Sequence, residues 1–197
     1  MTRFVLASGS PARLATLRGA GVEPDVIVSD VDESAVEADS VAELTLELAR
    51  LKATAVAGRL DTDVLVLGCD SLLELDGEPL GKPETAEAAT ERWRRMRGRT
   101  GVLHTGHCLL LGDRRASAAV ATTVRFADVT DDEIATYVGT GEPLNVAGAF
   151  TVDSLGGWFV EGIEGDHHNV VGLSLPVLRR LLQELGLSLT DVGYPRR

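Results

Sequence analysis

The chain has 197 residues, 44% of them hydrophobic and 25% charged, enough for one domain (residues 1–197) that buries about 70% of its unfolded surface. Nineteen Lys and Arg against thirty Asp and Glu leave a formal net charge of −11, and aromatic residues make up only 4%. That balance argues against a nucleic-acid polymer as partner, because such proteins carry a basic footprint and base-stacking platforms. The apolar stretch at the start, Phe4 to Ala7, is shorter than a signal-peptide core, and no run approaches the roughly 20 residues of a membrane span, so a cytoplasmic protein with no membrane partner is expected. Cys69 and Cys108 lie inside apolar runs and read as reduced, buried side chains. Neither a repeat nor a flexible linker divides the chain.

Strand and helix signals alternate along the sequence. Arg3 to Ala7 reads as a strand. Ser10 then supplies an N-cap and Pro11 a first helical residue, so a helix is predicted from here to Gly19 or Gly21. A strand, a small-residue turn and a helix N-terminus together present backbone N–H groups and the positive end of a dipole, a combination suited to an anion. Asp25 to Val28 reads as a second strand, followed by the acidic loop Ser29 to Glu33. Ser40-Val41-Ala42-Glu43 has the form of a capping box and opens a long helix that closes near Gly58 and carries Lys52.

Val64 to Pro83 is the most informative stretch. Its apolar run Val64 to Leu67 predicts a buried strand, and Asp70 stands at the end of that run, where a carboxylate facing the interior must be paired, protonated or bound to a cation. Leu72 to Leu75 forms a second short run, and Asp76-Gly77 predicts a tight reversal. The chain returns through Gly81-Lys82-Pro83 and brings a cation near the carboxylate, which suggests a phosphate and metal site.

Beyond it, Thr85 to Arg97 predicts a helix. The basic cluster Arg92, Arg94, Arg95, Arg97 and Arg99 reads as a solvated face that balances nearby acid. Gly101 to Leu111 and Arg114 to Phe126 predict a hairpin turning at Gly112-Asp113. His104 and His107 are three apart in a strand, so their rings point to opposite faces and do not read as metal ligands. Thr130 to Glu133 is a capping box opening a short helix. Glu142 to Phe150 reads as a Gly-punctuated loop, Trp158 to Ile163 as a late strand and Asp166 to Asn169 as a polar turn. A last helix starts near Pro176 and stops at Gly186, and a loosely held tail is expected after it. The sum is α/β with a mixed central sheet flanked by helices.

Gly77 to Pro83 echoes a Walker A loop superficially. It has three residues between its glycines instead of four, and Pro83 stands where a Ser or Thr would ligate magnesium.

Ser8-x-Ser10-Pro11-x-Arg13, Asp32-Glu33, Lys52, Gly68-x-Asp70, Gly81-Lys82-Pro83, Ala147-Gly148-Ala149-Phe150 and Asn169-Val170-Val171-Gly172-Leu173 together resemble the Maf family of nucleotide pyrophosphatases, also called septum-formation inhibitors. The resemblance covers the chain in order from Leu6 to the last helix. It implies a Maf/ITPase-like fold of two lobes with a cleft, usually as a homodimer. The implied reaction is the hydrolysis of a nucleoside triphosphate to a monophosphate and pyrophosphate, dependent on a divalent cation (Mg2+ or Mn2+), in the house-cleaning of nucleotide pools. Carried over residue by residue, it puts Ser8, Ser10 and Arg13 on the triphosphate, Lys52 and Lys82 as further phosphate ligands, and Glu33 and Asp70 at the metal and the attacking water. Ala12 departs from the second arginine of many members. Ser71-Leu72 and the Glu142 to Asn145 loop point to different substrate branches, dTTP and UTP or 7-methyl-GTP, so the base stays open. A non-catalytic, nucleotide-binding regulator of septation is the competing expectation, and a phosphatase that releases orthophosphate is a third.

Overall fold

The computed structural model describes residues 2–195. These fall into two compact units, one comprising residues 2–70, 105–120 and 172–195, the other Ser71–His104 and Ala121–Val171. The elements in chain order are β1 (Phe4–Leu6), α1 (Pro11–Gly19), β2 (Asp25–Val26), α2 (Val41–Ala57), β3 (Leu65–Leu75), β4 (Glu78–Leu80), α3 (Ala86–Met96), β5 (Thr100–Leu111), β6 (Arg114–Phe126), α4 (Asp131–Gly139), β7 (Val160–Glu164), α5 (His167–Val171) and α6 (Leu175–Glu184). A seven-stranded mixed sheet has the order β2-β1-β3-β5-β6-β7, with β4 paired to β3. β1 is parallel to β2 and to β3, whereas β3/β4 and β6/β7 are antiparallel. The predicted α/β architecture with a mixed sheet is therefore the one observed.

In the first unit the sheet is covered on both faces. Along β3 the odd residues Leu65, Leu67 and Cys69 join Leu17 of α1 and Val177, Leu178, Leu181 and Leu182 of α6 in one core. Val64 and Val66, on the opposite face, pack with Ala49, Ala53 and Val56 of α2. Burial on both sides explains why this strand reads as a continuous apolar run without alternation. The second unit has its own core, with Trp93 at its centre. That ring makes edge contacts to Phe126, Tyr137 and Phe159 at 5.8, 5.6 and 5.7 Å, and its indole N–H donates to the Ala149 carbonyl at 2.8 Å.

Several local readings change. β2 ends two residues early, at Val26. The two apolar runs flanking Asp70 are one eleven-residue strand, so Asp70 sits inside β3 rather than at a strand end. The carboxylate is tolerated there because a cation faces it. Asp76 and Gly77 have φ of 56° and 80° and make the predicted reversal. The late strand starts only at Val160, after a 3-10 turn at Leu155–Phe159. Asp166 to Asn169 leads into the short helix α5, with the Asp166 carboxylate accepting the His168 N–H at 3.0 Å. The expected loose tail is instead anchored. A 3-10 turn at Leu189–Val192 places Val192 in the core, and the Thr2 N–H donates to the Asp191 carbonyl at 2.8 Å. Arg196 and Arg197 lie outside the described residues. Among the described residues no helix is long and apolar enough to cross a membrane.

Candidate functional site

The site in the first unit begins with a close approach between helix and sheet. A Cβ on Gly68 would lie 2.2 Å from the Ala49 carbonyl oxygen, and one on Gly106 would lie 2.1 Å from the Thr45 carbonyl oxygen. Bare backbone on β3 and β5 is therefore what lets α2 lie against the sheet. Side chains alternate along a strand, so Asp70 points to the same face as Gly68, toward α2. Lys52 is one helical turn from Ala49, which puts its side chain over that carboxylate.

The consequence is a compact charged triad. Lys52 Nζ donates to Asp70 Oδ1 at 2.5 Å and lies 2.8 Å from Glu33 Oε1. The Lys52 and Asp70 side chains are 12% and 11% exposed, while Glu33, on the acidic loop, is 47% exposed. Burial raises the Asp70 carboxyl above its ordinary range. The charges of Lys52 and Arg13 pull against that rise without cancelling it, and Glu33 adds to it. A buried carboxylate that remains a good proton acceptor is the chemical product of this geometry.

Beside the triad stands the turn before α1. Ser10 Oγ accepts the Arg13 backbone N–H at 3.4 Å, and Ser8 Oγ accepts the Ser10 N–H at 3.2 Å. Pro11 has no N–H, so Ala12 carries a first-turn donor with no intrahelical acceptor. Arg13 is turned inward and 9% exposed. Its Nε donates to the Gly172 carbonyl at 2.8 Å, and its Nη1 donates to Ser8 Oγ and to the Cys69 carbonyl, both at 3.0 Å. The guanidinium thus ties the Ser8 turn to the β3 residue that precedes Asp70. Burial pushes the Cys69 thiol itself up to about 12, which leaves it an inert part of the wall.

Ser8, Ser10, Arg13, Glu33, Lys52 and Asp70 all belong to the first unit and are joined by these contacts. Lys82 belongs to the second unit, where it is exposed. The Gly81 carbonyl there accepts the Gly148 N–H at 3.1 Å and an N–H of Arg92, so the Gly81-Lys82-Pro83 and Ala147 to Phe150 motifs meet in space. Gly148 has φ of 71°, and a Cβ on it would lie 2.7 Å from Leu73 Cβ. Glu142 ties the next loop together. Its carboxylate accepts from Tyr137 Oη (2.9 Å), Thr151 Oγ1 (2.6 Å), Ser154 Oγ (2.7 Å) and the N–H groups of Leu155 (3.3 Å) and Gly156 (3.0 Å). Partial burial alone would raise this carboxyl; the hydrogen bonds from Ser154, Thr151, Tyr137 and Gly156 outweigh it and bring it to about 2.

Sequence reasoning missed three contributors: Gly106 and the carbonyls of Cys69 and Gly172. A glycine inside an apolar strand signals close backbone approach, and Gly106 carries that signal. The carbonyls leave no mark in a sequence. His104 Nε2 lies 2.8 Å from Glu74 Oε2, and His107 Nε2 accepts the Ser174 N–H at 2.9 Å. Among the described residues no group of three or more His, Cys, Asp or Glu side chains could hold a metal ion by itself. Glu33 and Asp70 do fit a cation that draws its other ligands from phosphate and water, as Mg2+ commonly does.

Comparison with known proteins adds three findings. Residues 3–185 match the family model described as Maf-like protein. Curated relatives named nucleoside triphosphate pyrophosphatase include one from Salinispora tropica, 64% identical over 196 residues covering 96% of this chain and 87% of the relative. Another, from Streptomyces coelicolor, is 57% identical over 98% and 95% of the two chains. Among solved structures, the Staphylococcus aureus Ham1 protein aligns with a TM-score of 0.46 at 21% identity, covering 64% of this chain and 72% of its own.

Proposed function

We propose, starting from the fact that this chain belongs to the Maf-like protein family, that it is a nucleoside triphosphate pyrophosphatase, a hydrolase that cleaves a phosphoric anhydride bond to release a monophosphate and pyrophosphate. The observation that carries the reading is the Glu33–Lys52–Asp70 triad beside the N-terminus of α1. A pure binding module has no use for two carboxylates gathered beside a phosphate cradle, which disfavours the non-catalytic regulator.

In this reading Ser8, Ser10 and the first turn of α1 receive the triphosphate. Arg13 adds positive potential and holds the Ser8 turn against β3. Lys52 and Lys82 are further phosphate ligands, Lys82 on the strength of the family resemblance. Asp70 orients and deprotonates the attacking water, a role suited to its raised carboxyl and worth about 10²- to 10⁴-fold. Glu33 and Asp70 would hold the divalent cation, which when bound neutralises charge on the phosphates. A cytoplasmic homodimer acting on free nucleotides completes the proposal, and light scattering on the purified protein tests the dimer.

The decisive experiment incubates the protein with Mg2+ or Mn2+ and a panel of triphosphates including dTTP, UTP and 7-methyl-GTP, with pyrophosphate and orthophosphate measured separately. Pyrophosphate release is expected. Orthophosphate release in its place would assign a different phosphatase, and no turnover of any triphosphate would sink the enzyme reading.

A further inference from the structure

Lys52 holds the two carboxylates that a divalent cation would also need. Its Nζ is 2.5 Å from Asp70 Oδ1 and 2.8 Å from Glu33 Oε1, and the side chain is 12% exposed. We infer that the Lys52 ammonium is a built-in competitor for the divalent cation, and that the triphosphate relieves the competition by drawing the ammonium onto its own oxygens. The inference rests on the proposed pyrophosphatase reading and deepens it by ordering its binding events.

Two carboxylates and one ammonium carry a net charge of −1, so the triad is nearly compensated as it stands. A cation that used the remaining carboxylate oxygens would place charges of +2 and +1 side by side at a carboxylate whose side chain is only 11% exposed, where solvent screening is weak. Arg13 adds further positive charge acting on Asp70. Displacing the ammonium with nothing to receive it leaves a lysine largely buried and unpaired, which is also costly. An ammonium has three donors, and among the described residues two of them are taken, by Asp70 and Glu33. The third is open to a phosphate oxygen, which gives the lysine a path off the carboxylates. Metal and nucleotide therefore bind synergistically, with Lys52 as the element both of them move.

The test uses metal alone, so its outcome is independent of whether any triphosphate is hydrolysed. Mn2+ binding, followed by its paramagnetic resonance signal, is compared between the wild-type protein and Lys52→Met, which removes the charge and keeps much of the length. Tightening of about 5- to 150-fold in the variant is expected, the usual range for coupling between two sites. Unchanged or weaker Mn2+ binding would overturn the inference. A second measurement needs no variant. The chain contains only two lysines, Lys52 and Lys82, so protein labelled with carbon-13 at lysine Cε gives two signals. Mg2+ titration is expected to shift the Lys52 signal toward that of a free lysine, and a stationary Lys52 signal at saturating Mg2+ would equally overturn the inference. If the wild type releases no pyrophosphate while Lys52→Met still tightens Mn2+ binding, the function fails and the competition stands.

Discussion

Asp70 in the first unit and Glu142 in the second are both carboxylates drawn partly out of water, and they are held in opposite ways. Glu142 accepts three hydroxyls and two backbone amides, all neutral, from the end of α4 and the loop that follows it, and its carboxyl falls to about 2. Asp70 has the Lys52 ammonium as its bridging partner, and burial raises its carboxyl. Fixed neutral donors lock a carboxylate into a structural role. A carboxylate paired with a long-stemmed ammonium, with Arg13 as a second nearby charge, stays basic and can exchange that ammonium for another partner, which is what chemistry requires.

Substitutions at the two positions separate these roles. Asp70→Asn is expected to lower pyrophosphate release by about 10²- to 10⁴-fold with the fold intact by circular dichroism. Near-normal turnover in the folded variant would remove Asp70 from the mechanism. Gly68→Ala pushes a methyl group into the Ala49 carbonyl, so a loss of about 1–3 kcal/mol in urea unfolding is expected, together with reduced activity as α2 and Lys52 are displaced. Glu142→Gln keeps one carbonyl acceptor but loses the charge, and should cost about 1–2 kcal/mol at neutral pH while the folded fraction keeps its turnover. That difference from wild type is pH-dependent. The folded carboxyl lies below its ordinary 4.5, so its stabilisation is full above that value and is lost as pH falls toward about 2. Urea midpoints of the two proteins should therefore converge through that window, and parallel midpoints would refute the assignment. Arg95→Ala removes an exposed pair with Glu78 and should leave both the midpoint and the turnover unchanged.

The chain's own periodicity and punctuation located every helix but the short α5, because caps act through neighbours in sequence. Ser10, Ser40, Thr85 and Thr130 each accept the N–H three residues on, and Thr130 completes its box with Glu133. The failures are long-range. Nothing local in Leu187 to Pro195 announces that Val192 is buried and that Asp191 receives the Thr2 N–H. Similarly, nothing local around Asp70 says that one strand runs through it, since the reason lies across space in Lys52.

For the site, charge in an apolar run and a capped turn after a strand are readable chemistry and single out Asp70, Lys82 and the Ser8 to Arg13 turn, whereas Glu33 and Lys52 stand out only through the resemblance to the Maf family. Only the tertiary structure showed what each one does with its neighbours. It turned Arg13 inward onto the Gly172 and Cys69 carbonyls, and it placed Lys52 between Glu33 and Asp70. The physical reason is that those pairings depend on how closely α2 approaches the sheet. Two glycines far apart in sequence, Gly68 and Gly106, permit that approach through contacts that no local pattern encodes.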